Sequence, residues 1–342
     1  MSLLSLRSLS HIGLAVSAGA LVYMPAISAT EMDSCISAAL ANADSNMTIG
    51  ELRASCASQT GGETMAEPSG HTPTGVETRL ALEKAQDANP WVITPHKPNY
   101  ILPVHYNSNP NGEPYAAAGL ADAVEENEVK FQMSFKFPVA RNLFDTNADL
   151  MFAYTNQSYW QLYADDVSAP FRDTNHEPEV FLSIPNDWEF MGWKNSLITT
   201  GFVHQSNGRT VPLSRSWNRI FASAVFEHDN FAFAVKPWYR LPEDEKVDPT
   251  LSEGDDNPDI YKYMGYGEMR LVYHNNDHVV TLMERNNLTS DSKGAAELDY
   301  SFPLYGKMKG YAQYFYGYGE SLIDYNARTN SVGVGIAISD WF

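Results

Sequence analysis

The C-terminal end of the chain alternates between apolar residues and small or polar ones. The apolar positions are Val332, Val334, Ile336 and Ile338, and the chain finishes on Phe342. Because successive side chains of a strand point to opposite faces, this period of two predicts a strand with one apolar face. The same alternation recurs over residues 130–137 and 231–236. Strands of this kind fit a soluble sandwich and a membrane barrel equally well.

Two features favour the barrel. A terminal phenylalanine on an alternating strand is typical of outer-membrane barrels, and the opposite face carries the small residues Gly333, Gly335 and Ala337, which suit a narrow, filled interior. The 19 Tyr, 16 Phe and 7 Trp fit aromatic girdles. After the N-terminal leader no apolar stretch reaches the ~18 residues that a membrane helix needs. We therefore predict an all-β, antiparallel transmembrane β-barrel of about 12 strands over residues 95–342.

The N-terminus reads as a signal peptide over residues 1–29. Arg7 precedes an apolar stretch over residues 12–27, and small residues for cleavage end at Ala29. A retained transmembrane helix is the alternative. Residues 30–94 are predicted to be a periplasmic extension or linker. They contain both cysteines, Cys35 and Cys56, which export would allow to pair, although the sequence leaves their bonding open.

The charge of the chain excludes one class of partner. The net charge of −19 and the pI near 4.8 argue against binding to nucleic acid. Eight of the 42 acidic residues fall within residues 242–259, which we interpret as a long, solvated external loop. A calcium-binding loop is the alternative there, but the EF-hand spacing is absent.

Residues 201–219 contain a candidate catalytic constellation. His204 and Ser206 are two apart in an extended run, a turn follows at Asn207–Gly208, and a second extended run carries Asn218. If the runs pair with His204 opposite Asn218, the three side chains share one face, because their numbers have the same parity. A hydroxyl nucleophile needs such a base beside it and a polar group behind the base. His-x-Ser pairs are common in strands, so the motif alone does not establish a triad.

Several separated blocks carry a family likeness. They span residues 168–175, 204–209, 214–219, 236–239, 255–260, 262–266 and 317–326. In this order and spacing they resemble the outer-membrane phospholipase A family of Gram-negative bacteria, over about residues 95–342. The resemblance implies a 12-stranded barrel in the bacterial outer membrane that hydrolyses sn-1 and sn-2 acyl esters of phospholipids and lysophospholipids.

The resemblance also implies roles for individual residues. Ser206 would be the nucleophile, His204 the general base and Asn218 the residue that orients the base. The Ser206 and Gly208 amides would form the oxyanion hole. The triad would lie on the outer surface of the barrel, where polar residues facing lipid are costly unless they have a function.

Calcium and a homodimer are implied in the same way. The calcium ligands would be the Arg209 carbonyl, the Ser214 hydroxyl and the Ser168 carbonyl of the partner subunit, and dimerisation would activate the enzyme. Two positions depart from the family pattern. Val211 stands where an acidic residue is usual, and Asn156 stands where a glutamine is expected at the dimer interface.

Two other readings stay open at this point. A catalytically silent barrel, acting as a narrow channel or a structural protein, is compatible with Val211. A soluble secreted β-sandwich that binds sugars would suit the aromatic content, but it explains neither Phe342 nor the triad.

Overall fold

The computed structural model describes residues 74–86, 93–120, 124–165, 168–248, 250–251 and 253–341. The predicted signal peptide, Cys35, Cys56, most of the predicted extension and Phe342 lie outside these ranges. Within them the chain consists mainly of long antiparallel strands.

Fourteen strands lie in the described ranges. Their bounds are β1 (Thr94–Pro95), β2 (Asn99–Asn107), β3 (Asn127–Ala140), β4 (Asp149–Trp160), β5 (Phe171–Pro185), β6 (Glu189–Phe190), β7 (Trp193–Ser206), β8 (Ser216–His228), β9 (Phe231–Leu241), β10 (Gly267–Asn275), β11 (His278–Asn286), β12 (Gly294–Tyr305), β13 (Met308–Tyr318) and β14 (Arg328–Ser339).

Twelve of these strands close into a single barrel. β2 to β5 and β7 to β14 each pair with their neighbours, and β14 closes the ring by pairing with β2, as in Val332 opposite Tyr106. The short strands β1 and β6 extend the sheet from β3 and β7. The predicted antiparallel 12-stranded barrel is confirmed.

The barrel has an apolar outside and a polar inside. On β14, Val332, Val334 and Ile338 are 48%, 50% and 74% exposed, while Gly333 and Ala337 face inward and are buried. The alternation predicted from the sequence is therefore the one observed. An apolar outer band around a polar interior is the organisation of a barrel that sits in a bilayer.

Buried charges inside the barrel are paired. Lys130 on β3 contacts Glu320 at 2.9 Å, and Arg172 on β5 contacts Glu128 at 2.9 Å. These side chains are at most 1% exposed. Since an unpaired buried charge is expensive, the pairs fix which strands can face each other across the interior.

The connection between β13 and β14 folds back against the interior. Leu322 and Ile323 are each 1% exposed, and the Tyr159 hydroxyl donates to the Glu320 carbonyl at 2.5 Å. Burial alone would raise the pKa of the Glu320 carboxyl, but the charges of Lys130 and His105 outweigh burial and hold that pKa below its ordinary value. The connection is thus anchored by charge as well as by apolar packing.

Three α-helices lie in the described ranges, α1 (Gly75–Gln86), α2 (Glu113–Ala117) and α3 (Tyr261–Met264), together with a 3₁₀-helix over Leu143–Asp145. No helix of this part of the chain is long and apolar enough to cross a membrane. α1 lies inside residues 30–94, the segment predicted to be a periplasmic extension or linker, and shows that part of this segment is helical.

α1 is held to the barrel by polar contacts. The Arg79 guanidinium donates to the carbonyls of Trp341 and Pro95 at 2.8 and 2.7 Å. Glu83 pairs with Lys136 of β3 at 2.9 Å. Because its partners are charges and carbonyls, α1 carries little of the apolar stripe by which a surface helix is recognised in a sequence.

Candidate active site

The hairpin of β7 and β8 places the candidate catalytic residues side by side. His204 pairs with Asn218 and Ser206 pairs with Ser216 in the observed register. This is the register under which the three side chains were expected to share one face. On β7 the neighbouring outward residue Phe202 is 41% exposed, and on β8 Ile220 is 49% exposed. The three polar side chains thus lie on the apolar outer surface.

His204 and Asn218 are joined by a hydrogen bond. The His204 Nδ1 and the Asn218 Oδ1 are 2.9 Å apart, and both residues are half-buried. With its amide oxygen towards the ring, Asn218 accepts a proton held on Nδ1, which leaves Nε2 of His204 as the basic nitrogen. Ser206 follows two residues later on the same face. This arrangement can remove a proton from a hydroxyl.

The loop between the strands is longer than the predicted Asn207–Gly208 turn. It spans residues 207–215, and the buried Asn207 side chain organises it. Its amide donates to the Leu213 carbonyl at 2.8 Å and to the Asp173 carboxylate at 3.1 Å. Its oxygen accepts from the Arg215 amide at 2.9 Å. Gly208 has φ +61°, a left-handed conformation that suits glycine at the exit of the strand.

The blocks that carry the family likeness meet beneath this loop. Asp173 accepts from the amide of Ile323 at 3.2 Å, and Asn175 accepts from the amide of Leu322 at 2.9 Å. On the other side, the Ser216 amide donates to the buried Asn257 at 3.0 Å. The Asp173 and Asn257 side chains therefore hold the hairpin that bears Ser206, and the β13–β14 connection in turn holds β5 through two backbone amides.

The loop carries two of the predicted calcium ligands and a nearby carboxylate. The Ser214 hydroxyl donates to the Asp256 carboxylate at 2.5 Å, and Lys246 contacts the same carboxylate at 2.5 Å. Arg209, the other predicted ligand on this hairpin, lies in the same loop. Hydroxyl, carbonyl and carboxylate oxygens are the ligands that calcium takes. Asp256 thus brings a carboxylate to a loop in which Val211 supplies none, and in this structure that carboxylate is paired with Lys246.

Ser168 lies elsewhere. It is exposed in the connection between β4 and β5, with a left-handed φ of +58°. Among the described residues, no group of three or more histidine, cysteine, aspartate or glutamate side chains is placed to hold a metal. The predicted calcium ligands of one chain are therefore two loop positions on the hairpin and one exposed position on another loop.

The sequence analysis did not single out two residues that lie near the predicted triad. His176 of β5 pairs with Ser206 across the sheet, and the Tyr154 hydroxyl lies 2.6 Å from its Nδ1. The Asn156 amide is 3.4 Å from the same nitrogen. His176 shows no metal-ligand spacing, and only the register of β5 against β7 reveals that it is beside Ser206. The second missed residue, Glu243, contacts Asn218 at 3.0 Å.

Comparisons with known proteins agree on one family. The family model described as phospholipase A1 matches residues 76–338. The phospholipase A1 of Escherichia coli K12 is 40% identical over 254 residues, which cover 74% of this chain and 84% of that protein. The phospholipase A1 of Klebsiella pneumoniae is 38% identical over 273 residues, covering 80% and 91%.

Solved structures give the same result. The outer membrane phospholipase A from Escherichia coli has a TM-score of 0.68 at 40% identity, covering 74% of this chain and 94% of that one. The Salmonella typhi outer membrane phospholipase, solved as a dimer with bound calcium, has a TM-score of 0.70 at 37% identity, covering 77% and 98%. The family match begins at residue 76, so it includes all of α1 except its first residue.

Proposed function

The chain belongs to the phospholipase A1 family, and from that premise we propose that it is a calcium-dependent phospholipase of the bacterial outer membrane. It hydrolyses the sn-1 and sn-2 acyl esters of phospholipids and lysophospholipids, and it is active as a homodimer. The observation that carries the proposal is the hydrogen bond of 2.9 Å between His204 and Asn218, on the face of the barrel that also bears Ser206.

The chemistry follows from the order of these three residues. Nε2 of His204 takes the proton of the Ser206 hydroxyl while the oxygen attacks the ester carbonyl carbon. The proton then passes from His204 to the departing lysophospholipid oxygen, leaving an acyl group on Ser206. Water, deprotonated by His204, attacks the acyl-enzyme and releases the fatty acid. Asn218 keeps the imidazole in the tautomer that both half-reactions require.

The negative charge on the carbonyl oxygen needs donors of its own. The Ser206 and Gly208 amides, at the point where β7 enters the loop, supply them in this proposal. The Arg209 carbonyl, the Ser214 hydroxyl and the partner subunit's Ser168 carbonyl would hold calcium. When bound, calcium supplies an electrophile that polarises the ester carbonyl. The oxygen-rich surroundings of Ser214 support this assignment.

The position of the triad explains the choice of substrate class. Phe202 and Ile220 flank the triad on the outer surface, so an acyl chain in the bilayer can reach Ser206 without leaving an apolar environment. Polar residues on this face are expensive in lipid and are retained where they have a function. A second copy of the chain, brought by dimerisation, would complete the calcium site through the partner subunit's Ser168.

The test is fatty acid release from phospholipid in detergent micelles with calcium. Ser206→Ala should lower the rate by about a thousandfold or more while leaving a folded barrel. Ser216→Ala is the matched control, because Ser216 is the serine paired with Ser206 across the hairpin. It should retain activity. Full activity in Ser206→Ala would refute the assignment.

A further inference from the structure

The Asn218 amide group has a second partner. Its Oδ1 lies 2.9 Å from Nδ1 of His204, and its Nδ2 donates to the Glu243 carboxylate at 3.0 Å. A chain of hydrogen bonds therefore runs from a carboxylate through the amide to the imidazole. We propose that Glu243 is a positioning residue of the triad. The inference rests on the proposed function.

The fold brings Glu243 to this place. Leu241, the last residue of β9, pairs with Asn218, and Pro242 follows it. Glu243 is thus the second residue beyond the pairing, and it is half-buried rather than exposed. Two other acidic residues of the same segment have basic partners, since Asp255 contacts Arg240 and Asp256 contacts Lys246, each at 2.5 Å. Glu243 alone among the described residues of this segment is hydrogen-bonded to a predicted triad residue.

A carboxylate behind the amide removes an ambiguity of the triad. An asparagine side chain can present either its oxygen or its NH₂ group to a neighbour, and only the oxygen is useful to His204. An ionised carboxylate accepts hydrogen bonds and donates none. Glu243 therefore binds the NH₂ group of Asn218, which leaves the amide oxygen facing Nδ1 of His204. The proton of the imidazole then stays on Nδ1, and the unprotonated Nε2 can act as the base.

The same contact gives a reason for asparagine at position 218. An aspartate there would place two carboxylates about 3 Å apart, and like charges at that distance cannot both ionise without cost. The pair Asn218 and Glu243 avoids the repulsion because one member is neutral. Glu243 in the loop and Asn218 in the strand are therefore complementary, one charged and the other neutral.

A charge exchange between the two positions tests the proposal. Glu243→Ala should lower kcat about tenfold at saturating calcium and leave KM unchanged, because it frees the amide to turn. Asn218→Asp should lower kcat about a hundredfold, because the new carboxylate is repelled by that of Glu243. The double variant Asn218→Asp with Glu243→Gln should recover at least about tenfold over Asn218→Asp, because a glutamine amide can donate to the new carboxylate. A loss of folding would not produce such a recovery.

Glu245→Gln is the matched control, as it removes an acidic charge from an exposed position of the same loop. It should leave kcat unchanged and should not rescue Asn218→Asp. Wild-type activity in Glu243→Ala, or a double variant no better than Asn218→Asp, would overturn the inference. Wild type and Ser206→Ala are assayed beside these variants. An inactive wild type or an active Ser206→Ala would overturn the proposed function instead, and the positioning role with it.

Discussion

Replacing Arg172 by methionine would remove the charge that joins three segments beneath the candidate active site. The Arg172 Nε and Nη2 donate to the two oxygens of Glu128 at 2.9 and 3.0 Å, and Nη1 donates to Asp324 at 2.6 Å. All three side chains are at most 1% exposed. The substitution would leave two buried carboxylates without their cation.

The contacts that remain set the size of the effect. Breaking a buried ion pair from one side costs about 3–5 kcal/mol. Glu128 keeps a contact of 3.2 Å with His105, and Asp324 keeps the Ser321 hydroxyl at 2.7 Å. We therefore expect Arg172→Met to lower the free energy of unfolding by about 3–5 kcal/mol, the cost of one broken pair rather than of two. Arg172→Lys keeps a charge but cannot reach both carboxylates with the same fork, so it should lose less.

The assay is urea unfolding in detergent micelles, followed by tryptophan fluorescence. Arg141→Met is the control, because Arg141 pairs with Asp149 at 2.5 Å but the two side chains are 32% and 18% exposed. A partly exposed pair should contribute about 0–1 kcal/mol. A loss in Arg172→Met no larger than that in Arg141→Met would refute the reasoning that this network holds the barrel together.

Three further predictions concern the loop, the helix and the pH dependence of stability. Asn207→Ala should lower fatty acid release about tenfold and raise the calcium requirement, because the buried amide closes the loop; an unchanged calcium titration would contradict this. Arg79→Ala should make α1 sensitive to protease while leaving the rate intact, since it removes the bond of 2.8 Å to Trp341; equal digestion of both proteins would argue against it. The folded-state pKa of Glu320 is depressed, so its contribution to stability is complete above pH ~4.3 and is lost as the pH falls further. Measured at a series of acidic pH values, the free energy of unfolding should fall less steeply with pH in Lys130→Met than in wild type. Equal slopes would disprove that Lys130 lowers the pKa of Glu320.

The strands were predictable because each has one face in lipid. Val332 and Val334 alternate with Ser331 and Gly333 under a constraint that acts at every second residue, so the period is visible in the sequence. For the same reason, the parity of the residue numbers placed His204, Ser206 and Asn218 on one face once His204 was taken to pair with Asn218. The strand number followed from length and resemblance.

What the sequence did not show depends on contacts between distant segments. α1 was missed because its partners are polar groups of the barrel, so residues 75–86 carry little apolar periodicity. Glu243 belongs to a run of acidic residues, and nothing in the sequence distinguishes the one that reaches Asn218. His176 is beside Ser206 only through the register of two strands. These contacts are set by the closed barrel rather than by local sequence.

The most direct measurement is to identify the residue that forms the covalent bond. Wild-type protein is treated with a long-chain alkyl sulfonyl fluoride in micelles, with calcium and again with excess chelator, and the adduct is mapped by mass spectrometry. The account predicts an adduct on Ser206, formed faster with calcium and lost in His204→Ala. An adduct on another residue, or none on a protein that releases fatty acid, would contradict it.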